Sequence, residues 1–378
     1  MSSIVRSPFL FCSHTCRSEA SADGRVNDVF VGADHPAPVP SVFPARGYRR
    51  LDVCCRTPCT ARSAVFKGVG TGMPSDAARR TGEGFTSAGA TKVLRAACRE
   101  AGLDSDGASL IRLGENALFR LAVHPVVVRI ARSTEYLESA RGEVEVSRWL
   151  SREHFPVTRV VEDLEQPLVV DGHPVTFWHL IHEGDRKATY RELGAVLRDL
   201  HSLSLPDTLS LPPYPVLDRT ERRIKVAVNI PQDDRAFLRK RAHELRDRIR
   251  DLRFESVKGP VHGDAHVQNL MVDRNGQVIL IDLERFSFDF PEWDLMVTAT
   301  EYHSLRWQTK EEYGAFVSAY GKDLCAWSGF PTLRAVQEFN MTTWLMQNVS
   351  ESADTAAEYA RRISSLRNDA APRDWNPG

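Results

Sequence analysis

The chain has 378 residues, and its 49 Lys and Arg residues nearly balance its 50 Asp and Glu residues, for a formal net charge of -1. This length predicts two or three structural units, and the balanced charge gives no indication of a nucleic-acid partner or an anionic membrane surface. No stretch approaches the roughly 18 to 20 apolar residues that a membrane span needs, and no secretory leader is recognisable. We therefore expect a soluble cytoplasmic protein, with no nucleic acid, membrane or protein partner indicated.

The first 85 residues mix Ser, Ala, Gly, Pro and Arg without sustained apolar periodicity, as in "HPAPVPSVFPARGYRR". Such a segment buries too little apolar surface to offset the entropy of ordering it. Residues 1–85 are therefore predicted to be a disordered or mis-annotated extension; in the second case the true start is Met73, and residues 1–72 precede it. An organellar transit peptide is the alternative. The cysteines of "CCRTPC" do not have the spacing of a zinc site.

Residues 86–180 predict a small sheet with one or two helices. "TKVLRAACREAGL" repeats apolar residues at helical spacing, and "EVEVSRWLSREHF" is predicted as a second helix. Between them lie the strand-like runs "SLIRLG", "ALFRLAV" and "PVVVRIA", rich in β-branched and aromatic residues. "QPLVVDGHPVTFWHLI" predicts a hairpin, because two apolar runs flank Asp171 and Gly172.

From residue 187 onward the apolar period becomes helical, first in "YRELGAVLRDLHSL" and then in "FLRKRAHELRDRIRDL". For the second segment, a heptad seam for dimerisation is the alternative to one amphipathic helix on a core, which its short length favours. Further helices are predicted at about 292–304, 310–320, 331–349 and 353–367. The chain is thus expected to be α+β, with a strand-rich part followed by a helix-rich part.

The stretch "VHGDAHVQNLMVDRNGQVILIDLE", residues 261–284, interrupts the helices with short apolar runs. "NLMVD" and "QVILID" are joined by an Arg-Asn-Gly turn, which is a strong hairpin signal. A hairpin places Asn269 at the start of its first strand and Asp282 at the end of its second, so the two side chains should be adjacent. Asp264 lies five residues before Asn269, on the incoming loop. Three oxygen-bearing side chains are therefore expected to converge at one edge.

Converging carboxylate and amide oxygens suit a hard divalent cation such as Mg²⁺, which takes remaining ligands from water and substrate phosphates. An Asp followed five residues later by an Asn is also the spacing of the protein-kinase catalytic loop. Asp264 is therefore predicted to orient and deprotonate an acceptor hydroxyl. Asn269 and Asp282 are predicted to position Mg²⁺ on the nucleotide.

"HGDAHVQN" followed by "IDLE" resembles the signature of the aminoglycoside phosphotransferase family, small-molecule kinases that share the protein-kinase bilobal fold. The similarity extends in family order to "ENALFRL", "VVVRIARS", "EVEVSRWL", "VTFWHLI", "ELGAVLRDLHSL" and "PEWDL", and covers residues 90 to 325 or so. The resemblance implies a small antiparallel-sheet N-lobe at 86–180 that binds nucleotide. It implies a larger helical C-lobe at 181–378 for catalysis and acceptor binding.

The chain departs from this family pattern at the phosphate clamp. Kinases of this shape use a strand Lys, paired with a helix Glu, to hold the nucleotide phosphates. No Lys occurs between Lys92 and Lys187. Arg129 in "VVVRIA" is therefore the predicted clamp, with Glu143 as its helix partner, because a guanidinium also binds phosphate oxygens. If the swap misplaces the phosphates, we expect slow turnover or nucleotide binding without transfer.

Other nucleotide-binding residues are predicted from their position relative to these motifs, because they have no motif of their own. Asn116 lies in a loop that is predicted to cover the phosphates, although it contains one Gly and is equally an ordinary hairpin turn. Residues 178–181 should form the hinge between the lobes, where backbone groups meet the purine edge. His179 and Ile181 are the predicted nucleotide-binding residues of this segment.

Three further residues are predicted to support the centre. His262 should hold the catalytic loop by hydrogen bonding rather than transfer protons. Asp294 in "PEWDL" could cap a helix, and by resemblance it stabilises the catalytic loop. Glu284 would point to the same strand face as Asp282 if the strand continued, where it assists metal or substrate.

The predicted activity is Mg²⁺-dependent transfer of the γ-phosphoryl group of ATP to a hydroxyl of a small polar molecule, with GTP left open as donor. An acidic cluster favours an amine-bearing acceptor such as an aminoglycoside, unless it is only a solvated face; its members are Glu284, Asp289, Glu292, Asp294 and Glu301. The alternatives are a metabolite kinase of the choline, homoserine or sugar type, and a non-catalytic nucleotide-binding regulatory module with the same fold.

Overall fold

The computed structural model describes residues 85–114 and 116–377. The predictions of disorder, a later start or a transit peptide for the N-terminal segment, and those on its cysteines, lie outside the described residues. The described part is α+β, with a small antiparallel sheet followed by a larger helical part, so the predicted fold class is confirmed. None of its helices combines the length and the apolar character that crossing a bilayer requires.

The sheet has five antiparallel strands in the order β1-β2-β3-β5-β4. Their bounds are β1 Ser109–Leu113, β2 Asn116–Arg120, β3 Val126–Ala131, β4 Leu168–Val170 and β5 His173–His179. Asp171 and Gly172 join β4 to β5 at φ angles of 51° and 80°, the left-handed conformations that a two-residue hairpin needs. The predicted hairpin is therefore confirmed. Helix α1, Ser87–Glu100, packs its apolar stripe on one face of this sheet.

Helix α2, Leu137–Arg152, connects the sheet to the helical part. The helix begins at Leu137, upstream of the segment "EVEVSRWLSREHF" from which it was predicted. It contacts β5 and the turn at 283–285, and Trp149 meets Phe286 edge-to-face at a centroid distance of 6.2 Å. Because α2 is packed against both parts of the chain, its residue Glu143 lies where they meet.

The helical part contains α3 Tyr190–His201, α4 Asp218–Val226, α5 Gln232–Arg250, α6 Glu292–His303, α7 Lys310–Tyr320, α8 Phe330–Leu345 and α9 Ala353–Arg367. Thr189 and Glu192 form a capping box that fixes the start of α3. The stripe of α5 that suggested a heptad seam is buried in this chain's own core through Leu238, Ala242 and Leu245. The interpretation as a single amphipathic helix is therefore confirmed.

Two short antiparallel ribbons carry the stretch of residues 261–284 between α5 and α6. They pair β6 Gly259–Val261 with β9 Ser287–Asp289, and β7 Leu270–Val272 with β8 Val278–Leu280. The predicted β7–β8 hairpin is confirmed. Its turn closes at Gly276, which has a φ of 82°, while the carboxylate of Asp273 accepts hydrogen bonds from two backbone N–H groups of the turn. The loop from β6 to β7 therefore starts and ends on fixed strands.

Candidate functional site

The loop after β6 is fixed by a carboxylate from α6. Asp294 is fully buried, and its two oxygens accept hydrogen bonds from the backbone N–H groups of His262 and Gly263, each at 2.7 Å. Gly263 has a φ of 79°, and a Cβ at this position would lie 2.3 Å from the carbonyl oxygen of Arg285. Only glycine fits this turn, because the loop passes directly against the segment that follows Asp282.

His262 connects the loop to the strand that leads to Asp282. It is buried, its Nε2 lies 2.9 Å from the carbonyl oxygen of Ile281, and its Nδ1 accepts from the backbone N–H of Asp264 at 3.3 Å. Donation by Nε2 and acceptance by Nδ1 together define the neutral imidazole with its proton on Nε2. In this structure His262 is thus engaged in hydrogen bonds that orient Asp264.

The hairpin brings Asp264, Asn269 and Asp282 together. The amide nitrogen of Asn269 donates to the backbone oxygen of Asp264 at 2.8 Å, and the backbone N–H of Ile281 donates to the carbonyl oxygen of Asn269 at 3.0 Å. Asp282 follows in the left-handed backbone conformation, at a φ of 64°. Burial, together with the charges of Asp264 and Glu284, raises the pKa of Asp282 to about 7.

Asn269 has an oxygen without a protein partner. Its Oδ1 atom is buried and accepts no hydrogen bond, while its Nδ2 atom is held by Asp264. A buried oxygen fixed in this way is ready for a ligand, because leaving it unpaired is unfavourable. Among the described residues, no group of three or more His, Cys, Asp or Glu side chains is arranged to hold a metal ion. A cation here would therefore need this amide oxygen beside the carboxylates.

Asp264 is surrounded by basic groups. Its Oδ1 atom lies 3.6 Å from Nη1 of Arg285. Burial alone would raise the pKa of Asp264, but Arg285 and His266 outweigh it and hold that pKa below its ordinary value. The carboxylate is therefore ionised near neutral pH, the form that can accept a proton from a hydroxyl.

Arg129 contacts two other residues that were predicted to bind nucleotide, Asn116 of the sheet and Glu143 of α2. Its guanidinium pairs with Glu143 of α2 and lies 3.3 Å from Glu284. The Asn116 amide fits its surroundings when Oδ1 faces the guanidinium, and it then accepts from Nη2 and Nε of Arg129 at 3.0 and 3.2 Å. Burial raises the pKa of Glu143 to about 7 despite this arginine. The Arg129 side chain is only 18% exposed, so the ion pair faces the interior of the cleft.

Glu284 is placed differently from the expectation. Strand β8 ends at Leu280, and residues 283–285 form a 3-10 turn, so the premise of a continuing strand was wrong. The Glu284 carboxylate instead lies between two arginines, 3.3 Å from Arg129 and 2.7 Å from Arg219 of α4. Sequence reasoning missed Arg219, because α4 is polar and short.

The predicted hinge follows β5. The backbone N–H of His179 donates to the carbonyl oxygen of Arg159 at 2.8 Å, and its ring lies 3.0 Å from Glu162 near the surface. The next N–H group, that of Leu180, donates to the carbonyl oxygen of Pro125 at 2.8 Å. Ile181 is half-buried. The nucleotide-binding roles of His179 and Ile181 stay predictions.

The acidic cluster that suggested an amine-bearing acceptor is engaged inside the protein. Each carboxylate has an internal partner: Arg129 and Arg219 for Glu284, Lys258 for Asp289, Lys322 for Glu292, His201 for Asp294 and Gln308 for Glu301. These groups therefore form neither a solvated acidic face nor a free patch for ammonium groups, and they do not support an amine acceptor.

One member of the cluster makes native stability dependent on pH. Burial raises the pKa of Glu301 to about 7 from its ordinary value of 4.5, so the folded protein holds this proton more tightly than the unfolded chain. The stabilisation is complete below pH 4.5 and is lost as the pH rises through 7. We expect Glu301→Gln to be more stable than the wild type at pH 8, by up to about 3 kcal/mol, and similar to it at pH 5. Urea unfolding at both pH values measures this.

The matched control is Glu311→Gln, which changes an exposed glutamate on α7. It should leave the pH dependence of unfolding unchanged. An equal pH slope for wild type and Glu301→Gln would contradict the assignment.

The sheet, the helical part and this site define a kinase-like phosphotransferase. The chain matches the phosphotransferase enzyme family, APH, over residues 110–339, which is more than half of its length. The protein therefore belongs to the phosphotransferase enzyme family, as the sequence motifs predicted, and is a small-molecule kinase. No curated protein sequence matches it.

Solved structures of small-molecule kinases share the fold at low sequence identity. Amicoumacin kinase hAmiN, in complex with AMP-PNP, Ca²⁺ and Ami, is 19% identical with a TM-score of 0.59 and covers 76% of this chain and 97% of its own. A microcompartment-associated aminopropanol kinase is 18% identical with a TM-score of 0.56, covering 72% and 95%. Choline kinase LicA from Streptococcus pneumoniae is 16% identical with a TM-score of 0.52, covering 73% and 98%.

Proposed function

We propose that this protein transfers the γ-phosphoryl group of ATP to a hydroxyl of a small polar molecule, with Mg²⁺ as the metal. The observation that carries the proposal is the convergence of Asp264, Asn269 and Asp282 beside the pair formed by Arg129 and Glu143. This arrangement offers a base, metal ligands and a phosphate clamp within one cleft. The kinase neighbours, one of them bound to AMP-PNP, support a nucleotide donor.

In the proposed reaction the acceptor hydroxyl donates a hydrogen bond to the ionised Asp264. Its oxygen forms a new bond to the γ-phosphorus as the bond from phosphorus to the β–γ bridging oxygen breaks. ADP leaves with that electron pair, and the hydroxyl proton passes to Asp264. His262 and Asp294 act as positioning residues, because they hold the backbone of this loop and do not touch the reacting atoms.

Arg129 would bind the phosphates in place of the usual lysine. Its guanidinium is preorganised by Glu143 and Asn116, and its contact with Glu284, at 3.3 Å, is the longer of its two ion pairs. Phosphate oxygens can replace Glu284 on the guanidinium while Glu284 keeps Arg219. The electrostatic task of the missing lysine is thereby retained.

The residues present fit a Mg²⁺ ion. The buried Oδ1 of Asn269 has no protein partner, and the Asp282 carboxylate lies at the same edge. These two groups would hold the ion, which supplies positive charge to the transferring phosphate when it is bound. The raised pKa of Asp282 describes the protein without that charge, which would favour the ionised carboxylate.

The proposed function is tested with the purified full chain, Mg²⁺, γ-labelled ATP and a panel of alcohols that includes neutral sugars, amino alcohols and hydroxy acids. We expect a labelled small-molecule product together with one ADP per product, and GTP is run as an alternative donor. Nucleotide binding without product from any acceptor, in a protein that unfolds cooperatively, would favour a regulatory module instead.

The metal assignment makes a prediction for Asn269→Ala. In the wild type, Mg²⁺ should tighten binding of AMP-PNP, and the variant should lose at least about tenfold of this tightening because one ligand oxygen is gone. Titration calorimetry with and without Mg²⁺ measures the difference. Asn275→Ala, in the exposed turn of the same hairpin, is the control and should behave as the wild type.

Asn269 also has a structural contact, through Nδ2 to Asp264. Asn269→Asp separates the two roles, since it keeps an oxygen for the metal and removes that donor. Retention of Mg²⁺ dependence in Asn269→Asp, with loss in Asn269→Ala, is the expected result. Equal Mg²⁺ dependence in Asn269→Ala and the wild type would remove Asn269 from the metal site.

A further inference from the structure

An arginine with an unsatisfied hydrogen-bond donor lies beside the Asp264 carboxylate. Arg285 lies 3.6 Å from the Asp264 carboxylate and donates from Nη2 to the hydroxyl of Tyr214 at 3.0 Å. Its guanidinium stacks over the Tyr214 ring at 5.3 Å. The Nε–H of Arg285 is buried and has no acceptor. This arginine is held rigidly by an aromatic ring and retains a donor that the protein does not satisfy.

Arg219 adds a second cation at the same edge. It reaches from α4 to Glu284 at 2.7 Å, and its side chain is 37% exposed, so it is not enclosed by the protein. His266 adds a second unsatisfied group after Nε of Arg285, because its Nδ1 atom is buried without a hydrogen-bond partner. Arg285 and Arg219 both carry positive charges that lower the pKa of the Asp264 carboxyl.

The nearby carboxylates are engaged. Glu284 is paired with Arg129 and Arg219, and Asp264 itself is assigned to the acceptor hydroxyl. An ammonium group next to the reacting hydroxyl would therefore meet two arginines at close range, because the remaining carboxylates of the cleft, Asp264 and Asp282, are assigned to the acceptor hydroxyl and to the metal ion. Like charges in a partly buried cleft repel strongly. A carboxylate or phosphate group, by contrast, would find forked guanidinium donors.

We propose that the acceptor is an alcohol that carries an anionic group, a carboxylate or a phosphate, close to the hydroxyl that is phosphorylated. Arg285 and Arg219 are the residues that bind this group. The inference rests on the proposed kinase function, because it takes Asp264 as the base that marks the position of the hydroxyl. It assigns Arg285 and Arg219 as specificity residues.

Four alcohols with one three-carbon skeleton test the charge of the acceptor. They are glycerate, glycerol 3-phosphate, glycerol and 3-amino-1,2-propanediol, which carry a carboxylate, a phosphate, no charge and an ammonium group. Binding of each to the full chain with ADP and Mg²⁺ is measured by titration calorimetry, and transfer from ATP is measured separately. We expect glycerate or glycerol 3-phosphate to bind at least about tenfold more tightly than the other two, as charge-assisted hydrogen bonds require. The difference between the first two identifies the anionic group.

Variants link this preference to the two arginines. Arg219→Gln and Arg285→Gln should each weaken binding of the preferred anionic alcohol by about 10- to 100-fold. For an acceptor that is turned over, the loss should be larger in KM than in kcat for Arg219→Gln, which has no contact with Asp264. The control is Lys225→Gln, an exposed cation on the same helix α4, which should bind like the wild type.

The outcomes separate the two proposals. Equal binding of all four alcohols, or tighter binding of the amine, overturns the anionic acceptor even if phosphoryl transfer occurs. Anion-selective binding that is unchanged in both arginine variants overturns it as well, since the anion then binds elsewhere. Selective binding that depends on the arginines, without transfer to any alcohol, supports the anionic site and counts against the kinase function.

Discussion

Asp264→Asn is expected to reduce the rate of phosphoryl transfer by about 10²- to 10⁴-fold, the usual contribution of a positioned general base. The amide still fits beside Arg285, but it cannot accept the hydroxyl proton. Binding of AMP-PNP should change by less than about threefold, because the phosphate clamp and Asn269 are intact. Steady-state kinetics with the best acceptor, together with nucleotide titration, measures both quantities.

The control for this substitution is Asp185→Asn, at an exposed position between the sheet and α3. It should keep the wild-type rate. If Asp264→Asn retained more than about a tenth of the wild-type rate, general-base catalysis by this residue would be ruled out on the scale expected for such groups.

The hairpin site is predictable from sequence because its geometry is local. Two apolar runs, a turn with Gly276 and a five-residue spacing place Asp264, Asn269 and Asp282 within one short segment. Arg129 and Glu143 are also predictable, since a strand and the helix after it form one unit. The structure pairs them across the face of the sheet. These elements depend on periodicity and turn chemistry, which a single sequence carries.

The acceptor side is not predictable in the same way. Helix α4 buries only Thr220 and Ile224, so its sequence has almost no apolar period to reveal it. Arg219 reaches Glu284 over a separation of 65 residues, and Tyr214 contacts Arg285 over 71. Nothing local in the chain specifies such pairs. In the sequence alone, the polar residues of α4 therefore resemble a solvated loop. Only the tertiary contacts show where they lie.

The acidic cluster fails as a sequence signal for the same reason. Carboxylates that are close in the chain suggest a patch of negative charge, yet most of their partners come from distant segments. Lys322 reaches Glu292 from 30 residues away, and His201 reaches Asp294 from 93. A run of charge predicts a surface field only when its counter-charges are known. Here the counter-charges belong to the same protein, and the charged groups beside Asp264 are arginines.

Asp294→Ala is expected to lower the free energy of unfolding by about 3 to 5 kcal/mol. The substitution leaves the backbone N–H groups of His262 and Gly263 and the ring of His201 without their shared acceptor in a fully buried place. Backbone hydrogen exchange at residues 262–264 should accelerate, because α6 no longer holds this loop. Phosphoryl transfer should fall with it, since the orientation of Asp264 depends on the loop. Urea unfolding and amide exchange measure the two effects.

Two further variants separate loop positioning from simple loss of stability. Asp199→Ala removes an exposed carboxylate paired only with the adjacent Arg198, and should change stability by less than about 1 kcal/mol. Asp294→Asn keeps one accepting oxygen but turns an amide nitrogen toward a donor, so it should lie between Asp294→Ala and the wild type. If Asp294→Ala unfolded like Asp199→Ala and exchanged its loop amides at the wild-type rate, the carboxylate would not be what holds the catalytic loop. The geometry argues otherwise, because a single carboxylate accepts three donors from two separate segments of the chain there, and no other buried acceptor among the described residues is bonded to those N–H groups.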